Sequence, residues 1–149
     1  MQNNITCKIE TISLEELLNY MRIQANEAFP SLKDEARLLA FATKLHKNAE
    51  FCFCRDEGKL VGMIAYYANG QGADFVYIPH VYVSPNYRKI GLFSRMLNTI
   101  EEYVIKKEFS EIRLEVENDN WSAQSAYLKN GFLLKKIASP KSIYMVKSL

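Results

Sequence analysis

Residues 81–94 read VYVSPNYRKIGLFS. An apolar strand pattern over residues 81–83 is followed by a proline-containing turn and then by a basic segment that contains Gly91. Beyond this segment, apolar residues recur at helical spacing, namely Leu92, Met96, Leu97, Ile100, Tyr103 and Val104. The first turn of a helix presents N–H groups that have no acceptor within the helix, at the positive end of the helix dipole. The pattern therefore predicts a strand–bend–helix corner that holds phosphate, with mobile positive charge from Arg88 and Lys89.

Two segments of the chain carry a resemblance to a known family. Arg88, Gly91 and Phe93 stand in the spacing Arg-x-x-Gly-x-Phe, and residues 116–132 read VENDNWSAQSAYLKNGF. The first resembles the (Arg/Gln)-x-x-Gly-x-(Gly/Ala) signature of the GNAT superfamily, the acetyl-CoA-dependent N-acetyltransferases. The second is similar to the later pattern of that family, Asn-x-x-Ala-x-x-x-Tyr-x-Lys-x-Gly-Phe, beginning at Asn120. The resemblance covers roughly residues 60–135.

The resemblance implies how coenzyme A is held. In the family, backbone amides of the corner wrap the pyrophosphate, and two adjacent strands splay apart so that pantetheine pairs with strand backbone. Carried over to this chain, pantetheine would use main-chain groups of Tyr82 and Val83, and Asn120 would reach the coenzyme arm. The cofactor-binding corner is then formed by Arg88, Lys89, Ile90, Gly91, Leu92, Phe93 and Ser94.

Phe93 departs from the family signature, which has a small residue at this position. The backbone N–H survives the change, but a ring now needs space close to the phosphate. We expect Phe93 to turn inward as a core residue of the helix while its N–H still faces the ligand.

Acetyl transfer from a thioester to an amine requires a proton donor for the leaving thiolate and an acceptor for the amine proton. Tyr127 stands where the family has its tyrosine and is the candidate acid; the alternative is a packed tyrosine that anchors its helix. His80 is the candidate base, because histidine titrates near neutral pH. Alternation places His80 and Tyr82 on one sheet face, so His80 either faces the acceptor or packs under a helix. The rivals for the base are Asp74, Tyr66 and Tyr67.

The element pattern predicts the order β-α-α-β-β-β-α-β-α-β-β, an α+β fold around one mixed sheet. By resemblance the fold is the three-layer α/β/α GNAT arrangement, with a mostly antiparallel, splayed central sheet, and residues 1–149 form a single domain. Asn69–Gly72 is expected to be a flexible turn, and residues 57–59 a hairpin turn. Capping patterns open two N-terminal helices, at Ser13-x-x-Glu16 and at Ser31-x-x-Asp34.

Composition excludes several classes of function. A chain of 149 residues with 48% hydrophobic and 24% charged residues is typical of one globular domain. A net charge of +2 without charge runs argues against nucleic acid as a partner. The polar N-terminal residues and the absence of long apolar stretches predict no membrane partner, so the cytoplasm is the default location.

Three cysteines, Cys7, Cys52 and Cys54, lack the spacing of a zinc site, and their odd number favours no disulfide framework. We expect Cys52 and Cys54, two residues apart on a strand, to be small core residues. No metal is expected. A covalent acyl-cysteine is not expected either, since no cysteine has a neighbouring histidine to lower its pKa.

The function that the resemblance implies is N-acetyl transfer from acetyl-CoA, as co-substrate, to a primary amine, and we expect direct attack in a ternary complex. A small-molecule acceptor is favoured, although no acidic cluster marks a polyamine site. The alternatives are a protein N-terminal or lysine acetyltransferase and a catalytically silent CoA-binding module. A homodimer is possible through an exposed final strand.

Overall fold

The computed structural model describes residues 4–68 and 74–149, so the turn predicted at Asn69–Gly72 lies outside the described residues. Its seven strands and four α helices follow the predicted order. The elements are β1 Ile5–Ile9, α1 Leu14–Glu27, α2 Glu35–Asn48, β2 Glu50–Asp56, β3 Lys59–Tyr67, β4 Phe75–Val83, α3 Leu92–Ile105, β5 Glu111–Glu117, α4 Trp121–Lys129, β6 Leu133–Ser139 and β7 Ser142–Ser148. Two short 3-10 turns, Pro30–Lys33 and Pro85–Tyr87, complete the list.

The strands form a mixed sheet in the order β1-β2-β3-β4-β5-β7-β6. The pairs β1–β2, β5–β7 and β6–β7 are antiparallel, whereas β4 and β5 are parallel. Pairing of β4 with β5 is confined to Phe75–Ile78 and Glu111–Leu114, the first four residues of each strand, as a splayed pair requires. These features confirm the expected fold class.

The edge of this sheet corrects one expectation. The final strand, β7, lies between β5 and β6 and is therefore not at the edge. The two edge strands are β1 and β6, and β6 has the exposed apolar side chains Leu133, Leu134 and Ile137. The predicted homodimer stays a prediction, and a sheet edge for it would be β6 or β1.

Helix starts follow from side-chain capping. The Ser13 hydroxyl accepts the Glu16 N–H at 3.1 Å, as the first capping box predicts. The second helix begins later than predicted. Residues 30–33 form a 3-10 turn, and Asp34 is itself the cap, since its carboxylate accepts the N–H groups of Ala36 and Arg37.

Two compact units divide the chain, and each has its own buried side chains. The first comprises residues 1–65 and 80–99, and the second comprises residues 66–79 and 100–149. In the first unit the fully buried residues include Leu17, Met21, Leu38, Leu45, Phe53, Met63, Ile64, Met96 and Leu97. In the second they include Tyr66, Ile100, Val104, Ile112 and Phe132. The prediction of a single domain stays a prediction.

The cysteines correct the sequence-based expectation. Cys7 and Cys54 stand directly opposite each other in the β1–β2 register, with Cα atoms 4.1 Å apart, and their sulfurs are bonded. Neither the odd number of cysteines nor a separation of 47 residues signals this pairing, because only the strand register brings the two together. Cys52 is free and buried, and burial raises its thiol pKa to about 12.

Residues 4–68 and 74–149 lack two features. No helix there is both long and apolar enough to cross a bilayer. The same residues contain no group of three or more histidine, cysteine or acidic side chains arranged around a potential metal position.

Candidate functional site

The predicted corner begins where β4 ends. The Ser84 N–H donates to the Val61 carbonyl of β3 at 2.9 Å, and the 3-10 turn Pro85–Tyr87 follows directly. The helix α3 begins at Leu92. The Arg95 N–H in its first turn donates to the carbonyl of Gly91, the residue directly before the helix, at 3.0 Å. A strand, a bend and a helix N-terminus therefore follow one another as the sequence predicts.

Two residues of the bend have left-handed backbone conformation. Lys89 has φ 65° and Gly91 has φ 84°. A β-carbon at Gly91 would meet no atom within 4 Å, so glycine is favoured there by the backbone angle and not by lack of space. A non-glycine residue at positive φ, such as Lys89, is uncommon and costs conformational energy. Such strain, held in place by the surrounding structure, clusters at ligand-binding segments.

The guanidinium of Arg88 is held in place, contrary to the expected mobile charge. Its Nε donates to the Val83 carbonyl at 2.8 Å, and its terminal nitrogen forms a short ion pair with the Glu27 carboxylate. The Arg88 guanidinium also lies 5.6 Å from the centroid of the Tyr82 ring. Three contacts on one face leave the side chain oriented back toward the strand end and α1.

Lys89 contrasts with its neighbour. It is exposed, and within residues 4–68 and 74–149 its ammonium has no hydrogen-bond or ion-pair partner. Of the two predicted cations, Lys89 is therefore the one whose charge is available to a ligand.

Glu27, at the last position of α1, belongs to this site although sequence reasoning did not identify it. Its Oε1 accepts a hydrogen bond from the Tyr82 hydroxyl at 2.8 Å as well as from Arg88. Arg88 holds the pKa of the Glu27 carboxyl below its usual value, and burial together with Glu27 raises the pKa of Tyr82. No motif marks Glu27, because its partners lie 55 and 61 residues later in the chain.

A second contact joins α1 to the same segment. The Tyr20 hydroxyl lies 3.0 Å from the Ser84 Oγ, and the Tyr20 ring packs edge-on against Tyr82 with centroids 5.8 Å apart. Burial raises the pKa of Tyr20 to about 12, so its hydroxyl stays protonated at physiological pH. The strand end of β4 is thus tied to α1 by two tyrosines and one carboxylate.

The remaining corner residues divide between core and surface. Leu92 is buried, while Ile90 and Ser94 are half-buried. Phe93 is also half-buried, so the ring is not the fully buried core residue expected from the sequence. The carbonyl of Val83 accepts from the Arg88 Nε at 2.8 Å, and the predicted use of Tyr82 and Val83 main-chain groups by pantetheine stays a prediction.

In the second unit, α4 carries Tyr127 as predicted. Burial raises the pKa of the Tyr127 phenol to about 12, so the hydroxyl keeps its proton throughout the physiological range. The ring packs at 5.7 Å from Phe132, and the Tyr127 carbonyl accepts the N–H groups of Asn130 and Phe132. Gly131 has φ 93° and closes the helix.

Asn120 is the N-cap of α4, as predicted. Its Oδ1 accepts the Ala123 N–H at 3.1 Å. This role uses one lone pair of the side-chain amide oxygen, and the predicted contact of Asn120 with the coenzyme arm stays a prediction.

His80 has the second of the two placements that alternation left open. It is 6% exposed and packs between the rings of Phe29 and Phe41, at 4.9 and 5.4 Å. Its Nε2 lies 2.6 Å from the Gln24 Oε1, and the Gln24 amide nitrogen donates to the Met63 sulfur. Burial lowers the His80 pKa to about 4. The imidazole is therefore neutral at pH 7, but it is a weak base enclosed by apolar side chains.

The rival base candidates are placed as follows. Asp74 is exposed, and its carbonyl accepts the N–H and hydroxyl of Ser110. Tyr66 is fully buried. The Tyr67 hydroxyl is also buried, and burial raises its pKa, which does not favour loss of its proton.

A cleft of about 680 Å³ lies in the second unit, at the end of β5 and the β6–β7 turn. Three carboxylates line it, from Glu115, Glu117 and Asp119. The Ser142 hydroxyl donates to one oxygen of Glu115. The structure thus gathers an acidic group that sequence reasoning did not recognise, because β5 alternation alone does not show which loops surround it.

The sequence profile of the Acetyltransferase (GNAT) family matches residues 14–132. The match spans most of the chain, which therefore belongs to the GNAT family of N-acetyltransferases and uses acetyl-CoA. Among curated protein sequences none matches this chain.

Solved structures agree in fold. PaiA N-acetyltransferase from Thermoplasma acidophilum, in complex with coenzyme A, is 19% identical with a TM-score of 0.73, and 97% of this chain and 99% of that chain are covered. The ribosomal-protein-S18-alanine N-acetyltransferase from Escherichia coli is 20% identical with a TM-score of 0.74, and 96% of this chain and 94% of that chain are covered. An acetyltransferase of the GNAT family from Streptococcus pneumoniae is 17% identical with a TM-score of 0.75, covering 97% and 99%. At these identities the likeness concerns the fold alone.

Proposed function

We propose that this protein transfers the acetyl group of acetyl-CoA to a primary amine of a small molecule, by direct attack in a ternary complex. The observation that carries the proposal is the corner at Lys89–Ser94. It joins left-handed Gly91, an available ammonium and a helix N-terminus, and these are the groups that bind a diphosphate. The corner belongs to a chain of the GNAT family.

In the proposed step the amine nitrogen attacks the thioester carbonyl carbon. A C–N bond forms as the C–S bond breaks, the amine loses one proton, and the CoA sulfur gains one. Tyr127 is the proposed donor toward the sulfur. Because its pKa is about 12, complete proton transfer to a thiolate of ordinary pKa near 8.5 is uphill by about 5 kcal/mol. Hydrogen bonding to the developing negative charge is therefore the main contribution, and solvent supplies the final proton.

His80 is a poorer candidate base than its sequence position indicates, since it is buried and weakly basic. A proton relay through water to bulk solvent satisfies the same requirement and needs no ionisable residue of unusual pKa. The base is assigned to no side chain of this chain.

The acidic cleft of the second unit has the charge to bind a positively charged group. Carboxylates of Glu115, Glu117 and Asp119 would pair with an ammonium there. Amino sugars and polyamines are therefore the first acceptors to test.

The experiment measures acceptor-dependent thiol release from acetyl-CoA. The panel contains an amino sugar, a polyamine, an amino acid and a peptide with N-terminal alanine, the last because the neighbour from Escherichia coli is an alanine N-acetyltransferase. Release with one of the small amines supports the proposal, and release with the peptide alone contradicts it. Thermal stabilisation by CoA without release from any acceptor would indicate a silent binding module.

Tyr127→Phe tests the proposed donor. Loss of a hydrogen bond to a charged group is worth about 1.5–3 kcal/mol, so kcat should fall about 10- to 150-fold while CoA affinity stays unchanged. Tyr144→Phe, on β7, is the matched control and should keep kcat. An unchanged kcat in Tyr127→Phe would contradict the role.

A further inference from the structure

Glu27 lies outside every sequence motif of the coenzyme corner, yet its carboxylate contacts two residues next to that corner, Tyr82 and Arg88. Its Oε1 accepts both the Tyr82 hydroxyl and the Arg88 guanidinium, and its Oε2 lies 3.5 Å from a second nitrogen of Arg88. The carboxylate is about one-third exposed, at 32%. It therefore has access to solvent and would be able to rotate away if these partners did not hold it.

The guanidinium of Arg88 joins two separate elements, α1 and β4, through three contacts. It contacts Glu27 at the end of α1, the carbonyl of Val83 at the end of β4, and the face of the Tyr82 ring. The bend at Lys89–Gly91 begins at the next residue. The left-handed backbone of Lys89 costs energy unless its surroundings hold it, and the fixed Arg88 is the nearest such constraint on its N-terminal side.

The signs of the charges oppose a simple ligand role for this pair. A lone carboxylate beside a diphosphate site repels the ligand, while a lone arginine attracts it. In the structure the two charges are paired and offset each other. The unpaired charge of the corner is the exposed ammonium of Lys89.

We infer that Glu27 and Arg88 are positioning residues, which together hold the bend in its coenzyme-binding conformation, and that Lys89 supplies the cation for the diphosphate. This inference rests on the proposed function, because it takes CoA to be the ligand of the corner. Glu27 thereby becomes part of the coenzyme site. The two neighbouring cations have different roles, since Arg88 positions the bend and Lys89 contacts the diphosphate.

The two possible roles of the pair predict opposite signs. If Arg88 binds phosphate and Glu27 merely competes for it, neutral Glu27→Gln frees the arginine and CoA binds more tightly. If the pair positions the bend, Glu27→Gln and Arg88→Gln each weaken CoA binding. The two changes then remove one shared interaction. The Kd of the double variant for CoA should therefore be no higher than that of the single variant with the higher Kd.

The experiment is calorimetric titration of CoA into wild type, both single variants and the double variant. We expect each single change to raise Kd about 3- to 30-fold, and the double variant to match the larger single effect within about twofold. Glu35→Gln is the control, because it removes a comparable but exposed ion pair between Glu35 on α2 and Arg22 on α1, and it should leave Kd unchanged. Tighter binding by Glu27→Gln, or additive effects, would overturn the inference.

Two further measurements separate position from charge. Glu27→Asp keeps the charge but shortens the side chain, so it should weaken binding if geometry matters and have no effect if charge alone matters; it also serves if Glu27→Gln does not fold. Lys89→Gln should flatten the dependence of Kd on salt concentration, whereas the double variant Glu27→Gln/Arg88→Gln, which removes both charges of the pair, should leave that slope as in wild type. A flattened slope in the double variant, or an unchanged slope in Lys89→Gln, would contradict the assignment.

Failure of the inference differs from failure of the proposed function. If the wild type does not bind CoA, the proposed function fails and the inference with it. If the wild type binds CoA and the variants behave additively, the coenzyme assignment stands and only the positioning role is lost.

Discussion

Gly91 and Gly58 have nearly the same backbone conformation in two different loops, with φ 84° and 87°. Neither would place a β-carbon within 4 Å of another atom. They differ in where they lie, since Gly91 is in the bend before α3, the proposed coenzyme site, and Gly58 is in the β2–β3 hairpin turn. Substitutions at Gly91 and Gly58 can therefore be compared to distinguish the energetic cost of a left-handed residue from a role of that residue in binding CoA.

Alanine at either glycine should destabilise the fold by a similar amount, about 1–2 kcal/mol, because the left-handed region disfavours a β-carbon. Only Gly91→Ala should also weaken CoA binding, since relief of the strain shifts the N–H groups of the corner. Urea unfolding and CoA titration of both variants check this. Equal CoA affinities for the two variants would contradict the assignment of the corner.

The elements of the first unit are joined by contacts that cross long stretches of sequence. The strands β1 and β2 are linked by Cys7–Cys54, and Arg55 on β2 forms ion pairs with Glu10 and Glu16. These contacts surround the start of α1, and the end of α1 carries Glu27. The helix that reaches the corner is thus fixed at its N-terminal end by the neighbouring strands.

Loss of the disulfide should lower the free energy of unfolding by about 2–4 kcal/mol, because the bond closes a long loop in the unfolded chain. Cys7→Ala should therefore be less stable than wild type and insensitive to reductant. Cys52→Ala is the control, which keeps the bond and should stay sensitive. Thiol titration in denaturant should find one free thiol per chain without reductant, and three would contradict the pairing.

At the scale of the whole molecule, stability should depend on pH through His80. The folded-state pKa is about 4 and the unfolded value near 6.5, so the unfolded chain binds the proton more readily between these values. The neutral buried imidazole thus contributes its full stabilisation above pH 6.5, and this is lost as the pH falls toward 4. The loss amounts to roughly 3 kcal/mol.

Urea unfolding of wild type and His80→Gln at pH 7 and pH 4.5 measures this effect. Wild type should lose more stability over the interval than the variant, in which the titrating group is absent. His46→Gln, whose ring bonds the Ile12 carbonyl, should behave as wild type. Parallel losses in wild type and His80→Gln would show that His80 is not buried in the neutral form.

Local chemistry made much of this molecule predictable. The caps at Ser13 and Asn120, the hairpin at Gly58 and the helix start after Gly91 each depend on residues within a few positions of one another. Their side chains select a backbone conformation before any tertiary contact forms. The element order and the family motifs followed from the same local patterns.

The sequence by itself thus determined the order of elements and the strand–bend–helix corner between β4 and α3. Tertiary structure alone decided that Cys7 bonds Cys54, that His80 packs under α1 and α2, and that Glu27 holds Arg88. Each of these contacts joins residues 39 to 61 positions apart. Periodicity shows which face of an element a residue occupies, but strand register and helix packing determine which distant residue it meets.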